Sequence, residues 1–107
     1  MKLFTKVPEK SIQEYIKEAK EKEGSIFLDV RTPEEYEEGH LENSLNLPLH
    51  EHEKDRYSRF QDKTHMCYIY CLSGARSKRS AALMGHMGYT HVTDMGGIMG
   101  TDVQLVH

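Results

Sequence analysis

The sequence predicts an α/β protein in which a central parallel sheet of roughly five strands carries helices on both faces, as one domain over residues 1–107. Short apolar runs alternate with helical patterns along the chain, and this alternation is typical of a parallel sheet. The strongest run, residues 66–72, is apolar and aromatic throughout, as expected of a central strand. A length of 107 residues suits a single domain with one core.

The chain begins with a predicted edge strand and an amphipathic helix. Residues 4–7 are expected to form the short strand. Ser11 and Glu14 then match a capping box, in which each side chain satisfies a free backbone N–H of the first helical turn. Apolar residues repeat at helical spacing after Ser11, and Gly24 ends the run.

A buried strand, a short helix and a second short strand are expected next. Residues 25–30 are almost continuously apolar, as in a strand covered on both faces. Thr32 then caps a helix that has proline in its first position and that Gly39 stops. The strand at residues 45–47 is cut off by Pro48, which has no N–H for pairing.

The second half of the chain adds two helices and a last strand. The highly charged residues 51–60 are expected to form an exposed helix, and residues 77–87 are expected to form another. Residues 88–89 are expected to close that helix as a Schellman motif. A strand at residues 91–95 and a turn at residues 96–97 complete the predicted fold.

Composition excludes several classes of function. Lys and Arg number 14 against 17 Asp and Glu, and this net charge of −3 argues against a nucleic-acid partner. No apolar stretch is long enough to span a bilayer, and residues 1–8 lack the apolar core of an export signal, so we expect a cytoplasmic protein with no membrane contact. The only cysteines, Cys67 and Cys71, are too few for a disulfide scaffold and suit a reducing compartment.

Cys71 is the candidate nucleophile, because it ends the most buried strand, where ligands bind in parallel sheets. The residues after it are small or flexible enough to curl around the sulfur and lead directly into a helix. Backbone N–H groups, the positive helix end and a guanidinium there would favour the thiolate. The predicted loop consists of Leu72, Ser73, Gly74, Ala75 and Arg76. The alternative is that Cys71 is a small core residue, the role we expect for Cys67 about 13 Å away along the strand.

Other polar residues are expected to serve the scaffold. Asp29 and Arg31 lie at a strand end, where charged groups need partners. His40 follows a helix stop and is expected to be hydrogen-bonded. His50 and His52 lack the third and fourth ligands of a zinc site, so no metal is predicted.

The sequence Cys71-Leu72-Ser73-Gly74-Ala75-Arg76-Ser77 resembles the active-site loop of the rhodanese (sulfurtransferase) family. The resemblance implies a five-stranded parallel sheet flanked by helices, a sulfur carried on Cys71 and no cofactor. From Ser25 onward, further segments resemble the family in the same order: Leu28-Asp29-Val30-Arg31, Glu35-Tyr36, Gly39-His40-Leu41, Asn43-Ser44, Asn46-Leu47-Pro48 and Gly96-Gly97-Ile98.

Loop length distinguishes two chemistries that this fold hosts. Four residues separate Cys71 from Arg76 instead of five, so the ring of amides is small. A small ring suits one extra sulfur, whereas phosphoryl or arsenate chemistry needs a cradle for three equatorial oxygens. Sulfur transfer is therefore favoured over a small phosphatase or arsenate reductase.

The resemblance implies a double displacement through a persulfide on Cys71. Thiosulfate or a persulfide donates the sulfur, and cyanide, a small thiol or a protein cysteine accepts it. Arg76 would attract an anionic donor, and Lys78 and Arg79 add local positive charge or are simply solvated. We expect a monomer and leave a dimer open.

Two departures from the family affect the expected donor. Leu72 stands where many relatives carry a basic or polar residue, which weakens the case for a charged donor such as thiosulfate. Thr101 stands where the family often has tryptophan, which changes the wall of the donor pocket.

Two rival hypotheses remain. Turnover of p-nitrophenyl phosphate that depends on Cys71 would favour the phosphatase. Stable oxidation of Cys71 without turnover of any donor, together with a bound partner, would favour a non-enzymatic module that senses persulfides or redox state.

Overall fold

The computed structural model describes residues 8–50 and 63–107 as a parallel sheet with three helices. Its strands lie in the order β2-β1-β3-β4, and every pair is parallel. The α/β class is confirmed; the strand predicted at residues 4–7 and the helix at 51–60 lie outside the described residues. The elements are α1 (Ile12–Lys20), β1 (Ile26–Asp29), α2 (Pro33–Glu38), β2 (Ser44–Asn46), β3 (Cys67–Cys71), α3 (Ala75–His86) and β4 (Val92–Gly97).

The central strand β3 divides its side chains between two cores, and all five of its residues are buried. Cys67, Ile69 and Cys71 join the cluster that includes Ala81 and Met84 of α3. The two tyrosines between them, Tyr68 and Tyr70, join the cluster that includes Ile12, Tyr15 and Ala19 of α1. Successive side chains of a strand point to opposite faces, so the sheet has helices on both faces, as predicted.

Two capping boxes fix the starts of α1 and α2. Ser11 and Glu14 exchange their side-chain bonds at 3.2 and 2.8 Å. Thr32 and Glu35 do the same at 3.2 and 2.9 Å, with proline in the first turn. Helix α1 ends at Lys20, four residues before the predicted stop at Gly24, and β2 starts one residue earlier than predicted.

Helix α3 begins two residues earlier than predicted, because Gly74 takes the N-cap position with a left-handed φ of 106° and no side-chain cap. Its end is the predicted Schellman motif. The N–H of Tyr89 donates to the carbonyl of Met84 at 3.1 Å, and the N–H of Gly88 donates to that of Gly85 at 3.1 Å.

Strand β4 corrects the prediction of a turn at residues 96–97, because pairing with β3 continues through Gly97. A register shift at Ile69/Tyr70 brings Gly96 opposite Tyr70 and Gly97 opposite Cys71. A left-handed φ of 90° at Gly96 accommodates this irregularity. The strand thus extends alongside the end of β3 that bears Cys71.

The predicted scaffold residues have the expected kind of contacts. Asp29 and Arg31 form a buried ion pair at 2.6 Å, and the guanidinium also donates to the carbonyl of Gly39 at 2.6 Å. His40 stacks on Tyr36, and its Nδ1 lies 2.8 Å from the Tyr36 carbonyl. Among the helices of residues 8–50 and 63–107, none is long and apolar enough to cross a membrane.

Candidate active site

The sulfur of Cys71 lies at the carboxyl end of β3 and is surrounded by hydrogen-bonding groups. The side chain is 0% exposed. The N–H of Gly74 points at Sγ from 2.9 Å and the N–H of Ser77 from 3.3 Å. The hydroxyl of Ser77 lies 3.5 Å from the same atom. A buried polar atom thus has donors aimed at it, which favours a negative charge on that atom.

Local backbone geometry explains both donors. The left-handed conformation of Gly74 turns the chain so that its N–H faces back to the sulfur. Helix α3 starts at the next residue, and the N–H groups of a first helical turn have no partner within the helix. The N–H of Ser77 is one of these groups, and it carries the positive end of the helix dipole toward Cys71.

The loop after Cys71 rests directly on the end of β4. A Cβ atom built on Gly97 would lie 2.7 Å from the carbonyl carbons of Leu72 and Ser73 and closer still to the Leu72 oxygen. Glycine is therefore required for this close approach. The backbones of Ile98 and Met99 then donate to the carbonyls of Cys71 and Leu72 at 3.0 and 2.9 Å, which fastens the loop.

The predicted loop residues take different positions. Gly74 donates to the sulfur, whereas the side chains of Ser73 and Ala75 are exposed. Leu72 is half-buried and packs against the cluster on the α1 side of the sheet. Within the described part of the chain, the amides that donate to Sγ are those of Gly74 and Ser77.

The guanidinium of Arg76 is paired with Glu35 of α2. Two hydrogen bonds of 2.7 and 3.0 Å join them in a bidentate arrangement. The bonds from Arg76 hold the pKa of Glu35 down at about 2, and the same pair raises the pKa of Arg76. The positive charge expected to attract a donor is therefore largely compensated by a carboxylate.

Three residues at this site were not among the predicted site residues. Ser77 closes the quoted motif and falls in a first helical turn, a signal that would have identified it. Glu35 is predicted as part of the acidic first turn of a helix and of a segment that resembles the family, and nothing local indicates a partner 41 residues away. Asp94, 8% exposed, accepts a bond from the N–H of Gly96 at 2.9 Å, one residue before the glycine that pairs with Cys71.

Cys67 lies at the other end of β3, and the polar groups around its sulfur differ from those around Cys71. It is buried in the same cluster as Cys71, and burial raises the pKa of its thiol to about 11. The core role predicted for Cys67 agrees with this position. Within residues 8–50 and 63–107, no three His, Cys, Asp or Glu side chains form a group that could hold a metal ion; His52 lies outside those ranges.

Comparisons with known proteins match residues 12–100 to the Rhodanese-like domain. Thiosulfate sulfurtransferase PspE of Escherichia coli (strain K12) is 35% identical over 72 residues, which are 67% of this chain and 69% of that protein. A sulfurtransferase of Allochromatium vinosum is 35% identical over 85 residues, covering 72% of this chain and 71% of that protein. Other curated relatives are longer, and the chain spans 14% of one and 47% of another.

A solved structure of a rhodanese with anions from E. coli has the same fold. It superimposes with a TM-score of 0.68 at 32% identity, and the alignment covers 77% of this chain and 96% of that one.

Proposed function

The chain belongs to the rhodanese-like family, and on that premise we propose that it is a sulfurtransferase that carries a sulfane sulfur as a persulfide on Cys71. The observation that carries the proposal is the pair of backbone N–H groups, from Gly74 and Ser77, aimed at a cysteine sulfur at the carboxyl end of the central strand. The names of two relatives, a thiosulfate sulfurtransferase and a sulfurtransferase, support the same activity.

In the first half-reaction, Cys71 acts as the nucleophile. Its thiol releases a proton to water, and the thiolate attacks the outer sulfur of thiosulfate or of a persulfide. A new S–S bond forms as the old one breaks, and its electron pair leaves on sulfite or on the donor thiolate. The product is a Cys71 persulfide anion whose terminal sulfur lies about 2 Å from Sγ.

In the second half-reaction, an acceptor removes the terminal sulfur. Cyanide, a small thiolate or a protein cysteine thiolate attacks it, and the electron pair of the broken S–S bond returns to Sγ. The N–H groups of Gly74 and Ser77 then stabilise the Cys71 thiolate as leaving group. The sulfur is transferred as a neutral atom in both steps, and the leaving group takes the electron pair of the broken S–S bond, so the cycle consumes no external oxidant or reductant.

The local geometry also favours sulfur over phosphoryl transfer. Helix α3 starts four residues after Cys71, so the loop is short. Its Arg76, the residue that would bind phosphate oxygens, is held by Glu35 in two hydrogen bonds. A dianionic group with three equatorial oxygens would have to displace this carboxylate.

Intact-mass measurement tests the proposal. The protein is incubated with thiosulfate or with glutathione persulfide, and we expect the mass of one added sulfur atom that cyanide removes. Cys71→Ser should show no adduct, whereas the matched control Cys67→Ala, altered at the other end of the same strand, should load normally.

Three results would contradict the proposal. An adduct on Cys67 would overturn the assignment of the nucleophile. Absence of an adduct with both donors would reject sulfur transfer, and Cys71-dependent turnover of p-nitrophenyl phosphate would replace it with phosphatase activity.

A further inference from the structure

A cavity of about 320 Å³ lies at the carboxyl end of the sheet, on the face that bears the Cys71 side chain. Its volume is within the range of sites that bind small molecules. Strands β1 and β3 pair with Asp29 opposite Tyr70, so the residues that follow, Val30 and Cys71, lie side by side. Both belong to the same core cluster, and Val30 lines the cavity. The cavity therefore begins one strand away from Cys71, about 5 Å across the sheet.

Helix α3 forms one wall of this cavity and supplies positive charge to it. Arg76, Arg79 and Leu83 line the cavity at positions i, i+3 and i+7, which share one face of a helix. The guanidinium of Arg76 is already held by Glu35 in two hydrogen bonds. Arg79 is exposed and makes no hydrogen bond or ion pair within the described part of the chain. Its guanidinium can therefore bind a ligand.

The other walls are mostly apolar, and the described residues that line the cavity include no carboxylate. Apolar groups come from four of these residues, Val30, Pro48, Leu49 and Leu83. Such a surface binds a carbon skeleton by removing it from water, and a guanidinium binds a carboxylate in a bidentate arrangement. Thiosulfate has neither a carbon skeleton nor a carboxylate. The lining therefore favours an organic anion over an inorganic one.

We propose that this cavity binds the carbon skeleton of the sulfur donor and that Arg79 holds its carboxylate, so the preferred donor is the persulfide of a small thiol that carries a carboxylate. The inference rests on the proposed function and names a donor class for it. In the transfer step, the Cys71 thiolate attacks the outer sulfur of the donor R–S–SH. The S–S bond of the donor breaks as the new one forms, and the inner sulfur leaves with the electron pair as the thiolate R–S⁻. The proton on the transferred sulfur is lost to water.

Arg79→Gln tests the carboxylate contact with two donors that share a skeleton. Glutathione persulfide has free carboxylates, and the persulfide of glutathione diethyl ester has them blocked. We expect the variant to load Cys71 about fivefold more slowly from the free acid and at the wild-type rate from the ester. Lys78→Gln removes the same charge from the neighbouring exposed residue, which does not line the cavity, and should load normally from both donors. Equal slowing in the two variants, or an unchanged rate in Arg79→Gln, would overturn the contact.

A larger side chain in the cavity tests where the carbon skeleton lies. Leu83 lines the cavity from α3 and is half-buried, so Leu83→Trp should narrow the space and slow loading from both persulfides. Loading from thiosulfate should keep its rate, because thiosulfate has no skeleton to place there. Equal slowing with all three donors, or with none of them, would overturn the position given to the donor.

S-methylglutathione has the same skeleton and carboxylates but no sulfur to transfer, so it separates the binding site from the proposed function. We expect it to shift the backbone ¹H–¹⁵N signals of Val30, Leu49 and Leu83 in the wild type, and Arg79→Gln should weaken this binding about fivefold. These shifts in a protein that loads sulfur from no donor would keep the binding site and reject the function. Sulfur loading of Cys71 without the shifts would keep the function and reject the inference.

Discussion

The two ends of β3 hold chemically identical side chains in opposite environments. Cys67 and Cys71 lie on the same face of one strand, in the same core cluster, and both are almost fully buried. At Cys67 burial acts alone and raises the pKa of the thiol to about 11. At Cys71 two N–H groups point at the sulfur. Burial is therefore common to the two cysteines, and the loop that follows Cys71 provides the difference, the N–H groups at its sulfur.

The largest expected effect comes from disturbing that loop without touching the cysteine. In Gly97→Ala the new methyl group would collide with the backbone of Leu72 and Ser73, and the loop must shift. A displacement of about 1 Å at a reacting centre costs about 100-fold in rate, so sulfur loading in rapid-mixing experiments should slow by that factor. With such a loss, Cys71 would resemble Cys67 in its lack of reactivity toward sulfur donors.

Gly100→Ala is the matched control for that substitution. Gly100 has a left-handed φ of 80°, but nothing lies within 4 Å of a Cβ built there. This variant should lose about 1 kcal/mol of stability for the unfavourable conformation and load sulfur at the normal rate. Equal loading in the two alanine variants would contradict the role given to the contact between β4 and the loop.

One substitution made at both ends of β3 should give opposite results. Cys67→Ser places a hydroxyl in an apolar environment and should cost about 1–3 kcal/mol in the free energy of unfolding, with sulfur loading retained. In Cys71→Ser the hydroxyl inherits the N–H donors of Gly74 and Ser77, so the cost should stay below about 1 kcal/mol, with loading abolished. Urea unfolding measures the free energy of unfolding of both variants. Equal destabilisation would show that the two environments do not differ as described.

A smaller effect should follow from releasing the guanidinium near Cys71. Glu35→Gln removes the charge that compensates Arg76, and the second-order rate constant for loading from thiosulfate should rise about threefold at low salt, because the donor is a dianion. The gain should vanish at high ionic strength. Glu34→Gln, at the exposed neighbouring carboxylate, is the control. A slower reaction in Glu35→Gln would instead mean that the ion pair positions the loop.

The same ion pair predicts the smallest effect, on stability against pH. The pKa of Glu35 is about 2 in the folded protein against an ordinary 4.5. A carboxyl whose folded pKa is depressed stabilises the fold above the ordinary value, and this stabilisation is lost as the pH falls from 4.5 toward 2. The free energy of unfolding of the wild type should therefore fall more steeply in this window than that of Glu35→Gln. If the free energies of unfolding of the two proteins changed with pH in parallel, the ion pair between Glu35 and Arg76 would not contribute to stability.

Much of the fold could be predicted from local patterns. The capping box at Ser11, the cap at Thr32 and the Schellman motif depend on residues close in the chain, and they form as expected. The errors lie at one tertiary contact and at one helix start that has no side-chain cap. Pairing with β3 carries β4 through Gly97, and a cap without a side chain lets α3 begin at Ala75 instead of Ser77.

The candidate site likewise has features that the sequence predicts and features that it does not. Cys71 and Gly74 were identifiable because a buried strand, a flexible loop and a helix follow one another directly. The partner of Arg76 was not, since Glu35 arrives from α2. A sequence pattern indicates which residues are near each other along the chain and does not indicate which distant carboxylate will face them.

The sequence by itself determined the parallel α/β architecture and the place of the candidate cysteine, because apolar runs, caps and a strand–loop–helix junction are set by near neighbours and by burial. Only the tertiary structure decided the charge around that cysteine. It compensates Arg76 with Glu35, because the crossovers of a parallel sheet bring residues dozens of positions apart to the same edge.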